Sequence, residues 1–330
     1  MKIINFGVRE DERQYFERFA TEFGVQCFTT DRPLDNNTMH LLKGMDGVTD
    51  ITTRCYAPEI YQMMQAQGVK YFSLRQAGFD GLNCADGRHY GVRFARVPDY
   101  SPNAISEHSV ALALMLLRNL HIGYMRWHNQ DYRLEGLIGK EIRDYTVGIL
   151  GTGHIGLEAA RAFQGFGGRV IAYDVAPRPE ERQWLDYVDD LDDFFRQANL
   201  IGIYMPLNDG NRHIINQHNI AKMPDGTIIV NVARGEHIKT DDLYQALVTG
   251  KLAGAALDVY EGERGIFHQD FSTRIVPDEL FRKLEALPNV IITPHIAFNT
   301  DHAVRNMVKI SLENIINMTK YDKIKNEIPY

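Results

Sequence analysis

The sequence predicts an α/β protein of two Rossmann-like domains, one of them discontinuous, and three observations predict it. Strand-like apolar runs alternate with helix-like stretches along both halves of the chain, which is the pattern of parallel sheets with crossover helices. A glycine fingerprint, Gly151-Thr152-Gly153-His154-Ile155-Gly156, sits mid-chain directly after one such run. A six-strand fold that begins at Thr146 is complete near residue 294, and the thirty-odd residues left over are too few for another domain. They are expected to return to the first one.

Taken in order, Ile3 to Val8 reads as the first strand and Asp11 as the cap of a helix carrying Tyr15, Phe16, Phe19 and Phe23 on one face. Gly24 ends that helix. Strands are expected near Val25–Thr29, Gly47–Thr52, Tyr71–Leu74 and Arg93–Val97, with a helix at Pro58–Gln67. Ser101 as N-cap and Pro102 at the first helical position open a long helix to about Arg118, followed by a second stretch through His128. A second series then places strands at Thr146–Leu150, Arg169–Tyr173, Leu200–Met205, Thr227–Asn231, Ala253–Val259 and Val290–Thr293. The last helix runs from Asp301 to about Lys320. The domain boundaries follow: residues 1–99 and 298–330 in one domain, 100–297 in the other.

Composition removes several function classes. With a net charge of −7 and no basic cluster, the chain lacks the concentrated cationic surface that nucleic acid or an anionic membrane demands. The longest apolar run, Val110 to Leu117, is far below the ~18 residues that cross a bilayer. The N-terminus reads as a strand, not as a signal peptide. Cys27, Cys55 and Cys84 are odd in number and widely spaced, as in free thiols of a reducing cytoplasm. Neither H-E-x-x-H nor a His/Cys cluster with ligand spacing occurs, so no metal is expected.

The fingerprint has the surroundings a dinucleotide requires. Val147-Gly148-Ile149-Leu150 precedes it, Ile155, Ala159, Ala160 and Phe163 follow at helical spacing, and the next strand ends in Asp174. Gly151 permits the tight turn, Gly153 lets a pyrophosphate approach the backbone, and Gly156 lets helix and strand pack closely. Pyrophosphate would rest on helix N-terminal amides. Asp174 can accept hydrogen bonds from ribose hydroxyls and would repel a 2′-phosphate, which favours NAD over NADP, although Arg178 lies nearby.

Three later strand ends deliver a guanidinium, a carboxylate and an imidazole: Arg234 after Val230-Asn231-Val232-Ala233, Glu263 after Leu257-Asp258-Val259-Tyr260, and His295 after Thr293-Pro294. Reduction of a 2-oxo acid needs a planar bidentate donor for carboxylate and carbonyl, which arginine supplies. It also needs a proton donor titrating near neutrality, which is histidine. A carboxylate beside the imidazole fixes its tautomer, and Glu263 can serve His295 so.

On these motifs, together with Val97-Pro98-Asp99-Tyr100-Ser101-Pro102-Asn103-Ala104-Ile105, the chain resembles the D-2-hydroxyacid dehydrogenase family, in its D-lactate and D-2-hydroxyisocaproate dehydrogenase branch. The resemblance implies a doubly wound parallel-sheet NAD-binding domain, a discontinuous flavodoxin-like substrate (catalytic) domain, and a homodimer. It implies that His295 donates the proton, Glu263 pairs with it and Arg234 holds the substrate. His154, Ile155, Asp174, Met205, Pro206, Asn211, Val232, Ala233, Arg234 and Asp258 would line the cofactor beside the three glycines. The backbone amides of Ala77 and Gly78 would meet the substrate carboxylate, with Tyr100 approaching from the hinge.

The chain departs from the family in two places. The substrate loop reads Arg75-Gln76-Ala77-Gly78 where members often have Arg-Asn-Val-Gly, and Ile51 stands where lactate-type members often have an aromatic residue. More room for a substrate side chain is the expected result, so D-lactate dehydrogenase and a D-2-hydroxyisocaproate-type enzyme for bulkier 2-oxo acids both stay open. So does a non-catalytic NAD-sensing, corepressor-like protein. Formate dehydrogenase is disfavoured, because that branch pairs its histidine with glutamine.

Overall fold

The computed structural model describes residues 1–51 and 55–328. The chain opens with β1 (Lys2–Asn5), α1 (Glu10–Phe23), β2 (Gln26–Thr29), β3 (Gly47–Asp50), α2 (Pro58–Ala66), β4 (Tyr71–Leu74), α3 (Cys84–His89) and β5 (Arg93–Ala95). Next come α4 (Pro102–Leu117), α5 (Leu120–His128), β6 (Thr146–Leu150), α6 (His154–Gly165), β7 (Arg169–Tyr173), β8 (Asp186–Tyr187), α7 (Leu191–Gln197) and β9 (Leu200–Ile203). The series closes with α8 (Gln217–Lys222), β10 (Thr227–Asn231), α9 (Thr240–Val248), β11 (Leu252–Leu257), α10 (Glu279–Glu285), β12 (Val290–Ile292) and α11 (Asp301–Lys320). Two compact units result, Met1–Ser101 with Asn299–Tyr330, and Pro102–Phe298.

The first unit holds a five-stranded parallel sheet in the order β2-β1-β3-β4-β5, the flavodoxin-like arrangement. Strand alternation sends neighbouring residues to opposite layers. Ile3 joins Phe16, Phe19, Val308, Leu312 and Ile315 of α1 and α11, while Ile4 joins Tyr61, Met64, Phe72 and Phe94 on the other face. The first helix starts earlier than expected. Arg9 is its N-cap, its backbone N–H donating to Glu12 Oε2 at 2.9 Å, and Asp11 lies inside the first turn. Gly24 does close it, in the left-handed conformation at φ 65°. The third strand ends at Asp50; Thr52, placed in it from the sequence, falls outside the described residues.

Arg75 and Asp50 are buried at the carboxyl ends of these strands. The Arg75 guanidinium donates to Glu12 Oε1 at 3.2 Å, Thr49 Oγ1 at 2.9 Å and the Phe6 carbonyl at 2.8 Å, tying the loop after β4 to the ends of β1 and β3. Asp50 accepts from the Tyr56 hydroxyl and the Ile51 amide, each at 2.8 Å. Burial pushes its carboxyl up to about 6, the Arg75 charge and these hydrogen bonds opposing the rise.

The second unit is doubly wound, with strand order β12-β11-β10-β9-β6-β7-β8 and every pair parallel. It has seven strands where the sequence reading placed six, because two-residue β8 is too short to show a period. One face buries Phe194, Phe195, Ile220, Leu243, Leu247, Phe281 and Leu284. On this unit α4 packs against α6, and it stops at Leu117. Asn119 then takes a left-handed turn at φ 50° before α5, so the two helical stretches are separate rods.

Candidate active site

The fingerprint glycines are required by contact, not by convention. Gly151 turns at φ 92°, and a Cβ there would lie 2.7 Å from Met205 Cβ. A Cβ on Gly156 would lie 1.9 Å from the Gly151 carbonyl oxygen, so any side chain would drive α6 off the turn. At Gly153 a Cβ would meet nothing within 4 Å, which leaves open space in front of the helix N-terminus. The first-turn amides of α6 have no intrahelical acceptors and carry the positive end of the helix dipole. These features fit the pyrophosphate of a dinucleotide.

Asp174, at the end of β7, accepts from the Thr152 amide at 2.6 Å, the Thr152 hydroxyl at 2.9 Å and the Ala176 amide at 2.9 Å. Burial would raise its carboxyl, but these hydrogen bonds and Arg178 outweigh it and hold the group below the usual carboxylate range. The anion is thus fixed beside the glycine turn, as ribose recognition requires. After β9, Asn211 Nδ2 donates to the Pro206 carbonyl at 2.8 Å while its Oδ1 accepts from the Asn208 amide at 2.8 Å, closing the loop that follows Met205.

The other three candidate groups follow the ends of neighbouring β10, β11 and β12. Asn231 shapes the turn after β10: its Oδ1 accepts from the Ala233 amide at 3.1 Å and its Nδ2 donates to the Arg234 carbonyl at 2.8 Å. The Arg234 guanidinium donates to the Ala233 carbonyl at 2.7 Å. His237 supports the same turn, with Nδ1 3.1 Å from the Arg234 carbonyl, and its burial pushes the imidazole down to about 4, so it is neutral. Nothing in the sequence singled out His237.

Glu263 and His295 meet across the next two strand ends. Glu263 Oε1 lies 2.9 Å from His295 Nδ1, and its Oε2 accepts from the Tyr260 amide at 3.0 Å. With Nδ1 occupied, Nε2 is the nitrogen left for proton transfer. His295 adopts φ 54°, a left-handed conformation that costs a non-glycine residue on the order of 1 kcal/mol or more. Asp258 pins that turn. Wholly buried, it accepts from Thr293 Oγ1 at 2.6 Å and from the Ile296 and Ala297 amides at 2.9 Å each. His108 on α4 completes the arrangement, with Nε2 3.2 Å from Thr293 Oγ1. Its separation from Thr293 by 185 positions in sequence hid that contact.

The loop after β4, in the first unit, has its own polar logic. Gln76 Nε2 donates to the Gly78 carbonyl and Arg96 Nη1 to the Ala77 carbonyl, both at 2.9 Å. Among the described residues the amides of Ala77 and Gly78 donate to no protein acceptor, so two adjacent N–H groups are available to an anion. The Tyr100 carbonyl accepts from Asn306 Nδ2 at 2.9 Å.

Comparison with known proteins agrees with this chemistry. A family model described as "D-isomer specific 2-hydroxyacid dehydrogenase, NAD binding domain" matches residues 110–297. The chain is 38% identical over 328 residues to an aromatic 2-oxoacid reductase of Clostridium sporogenes, covering 99% of both chains. It is 40% identical over 320 residues to a D-lactate dehydrogenase of Lactobacillus delbrueckii subsp. bulgaricus, covering 97% of this chain and 96% of that one. Among solved structures, D-2-hydroxyisocaproate dehydrogenase superposes with a TM-score of 0.91 at 38% identity, covering 99% of both.

Proposed function

Because the chain belongs to the D-isomer-specific 2-hydroxyacid dehydrogenase family and is an NAD-dependent oxidoreductase, we propose that it reduces 2-oxo acids to D-2-hydroxy acids through Arg234, Glu263 and His295. NADH supplies the hydride. Arg234 holds the substrate carboxylate and carbonyl, and His295 delivers its Nε2 proton to the carbonyl oxygen. Glu263 keeps Nδ1 protonated and the ring aimed. The observation that carries this reading is the 2.9 Å contact between Glu263 and His295, placed at the carboxyl ends of the strands of a dinucleotide-type sheet. Cofactor contact by His154, Ile155, Asp174, Met205, Pro206, Asn211, Val232, Ala233 and Asp258 belongs to the same proposal. So does carboxylate binding by the amides of Ala77 and Gly78, with Tyr100 and Ile51 at the substrate.

For the substrate we propose pyruvate first, giving D-lactate. A second reading, toward branched or aromatic 2-oxo acids, is favoured by the aliphatic Ile51 and by the aromatic 2-oxoacid reductase among the relatives. We further propose a homodimer. Leu120, Tyr124, Met125 and Trp127 of α5 are exposed, and so large an apolar face calls for a partner surface.

The test is nicotinamide absorbance with NADH and a panel of pyruvate, phenylpyruvate and 2-oxoisocaproate. His295→Gln is expected to lower turnover on the order of 10²–10⁴-fold while NADH binding persists. No turnover by the wild type with any 2-oxo acid would favour a non-catalytic NAD-sensing protein.

A further inference from the structure

Five described residues other than glycine have positive φ; three of them are histidines, and two of these, His268 and His295, have neighbouring rings. His268 (φ 60°) and His295 (φ 54°) have ring centroids 6.4 Å apart with their planes inclined by 47°. The loop that carries His268 grows directly from Glu263, whose carbonyl accepts from the Ile266 amide and the Phe267 amide at 3.0 Å each. Ile266 is buried and Phe267 packs edge-on to Phe281, centroids 5.9 Å apart, so the residue before His268 is anchored in the core. His268 itself is exposed, and among the described residues its ring nitrogens have no hydrogen-bond partner. Asp270, the nearest acid along the loop, is turned to the Ser272 amide at 2.8 Å. The titratable group whose ring lies beside His268 is therefore His295, itself paired with Glu263.

We propose that His268 is the relay through which His295 regains its proton, acting through His295 and not on the substrate. This rests on the reading that His295 is the proton donor. In the reducing direction the Nε2–H bond of His295 breaks and the substrate O–H bond forms as hydride reaches the carbonyl carbon, leaving His295 neutral. His268, protonated by the solvent buffer, passes a proton to His295 and takes another from the buffer. The 6.4 Å between ring centroids is too long for a direct hydrogen bond, so the proposed relay runs through a solvent water between the rings. Holding a solvent-exposed imidazole in a left-handed backbone conformation beside the donor costs folding energy, which is the pattern of a functional position. Oxidation runs the same path in reverse.

His268→Asn and His268→Gly both tolerate the backbone conformation, so either tests the proposal in a folded enzyme. In dilute buffer of poor proton-donating capacity, steady-state kcat is expected to fall several-fold with the KM for the 2-oxo acid unchanged. Added imidazole restores kcat. A single turnover starting from protonated enzyme keeps the wild-type rate of NADH oxidation, because the first proton is already on His295. An unchanged kcat in dilute buffer overturns the relay, as does a loss that imidazole does not restore, or a single-turnover rate that falls in step with kcat. A wild-type enzyme that reduces no 2-oxo acid overturns the parent reading instead, a result not to be confused with an active variant indifferent to buffer.

Discussion

Replacing Asp50 by asparagine removes a charge that the fold holds at a cost. Its carboxyl rises from the ordinary 3.8 to about 6, chiefly by burial. About two pH units correspond to about 3 kcal/mol between the protonation states. The sign follows from proton counting. Between pH 4 and 6 the folded protein binds the proton that the unfolded chain has lost, so this group's contribution to stability falls as pH rises through that window. Above pH 6 the full penalty is present. Asparagine is isosteric and keeps an acceptor for the Ile51 amide, although its NH₂ reverses the bond to the Tyr56 hydroxyl and can strand that proton at roughly 1–3 kcal/mol. That loss does not depend on pH, so the readout is the change in the difference between variant and wild type. Urea unfolding at pH 4, 5, 6, 7 and 8 is expected to show Asp50→Asn gaining about 2–2.5 kcal/mol on wild type between pH 4 and 8, the unfolded carboxyl being already partly ionised at pH 4, with almost no further gain above pH 7. A difference that stays constant across this range, or that shrinks as pH rises, would refute the placement of a raised carboxyl at Asp50.

Other perturbations test the site directly. Glu263→Gln removes the anion opposite His295, so the pH range of 2-oxo acid reduction is expected to move downward; an unmoved profile of kcat/KM would exclude the dyad. Asp174→Ala deletes the fixed anion beside the glycine turn and is expected to weaken NADH by roughly ten- to a hundredfold while improving relative use of NADPH, measured as the ratio of kcat/KM values. An unchanged ratio would remove Asp174 from ribose recognition. Gly156→Ala forces a Cβ into the Gly151 carbonyl oxygen, so loss of NADH binding by fluorescence titration and a stability loss of about 1–3 kcal/mol are expected. Wild-type affinity in this variant would show that the turn can open.

Much of the molecule was legible in the sequence, for reasons that differ from part to part. Strands such as Tyr71–Leu74, Thr146–Leu150, Arg169–Tyr173 and Thr227–Asn231 are mostly apolar because both faces are covered, and they stand where the residues placed them. The glycine fingerprint was readable because the backbone constraint is local: Gly151 and Gly156 are in contact through five residues of chain. Arg234, Glu263 and His295 could be singled out as candidates because open α/β sheets bind ligands at strand ends, and a strand end is visible in one dimension; the structure brings Glu263 to His295.

Tertiary structure alone decided what holds those groups. The start of α1 went to Arg9 and not Asp11 because Glu12 closes on the Arg9 amide while being buried against Arg75, a partner sixty-three positions away. Asp258 took its place as the anchor of the His295 turn only when β11 and β12 lay side by side and α4 brought His108 across. His268 reached His295 the same way, from a loop with no motif of its own. Residue type and local spacing determine which chemistry a chain can offer, since strand period, helix caps and turn glycines act within a few residues. Which side chains are buried, paired and aimed depends on contacts between distant segments, and those exist only once the sheets have formed.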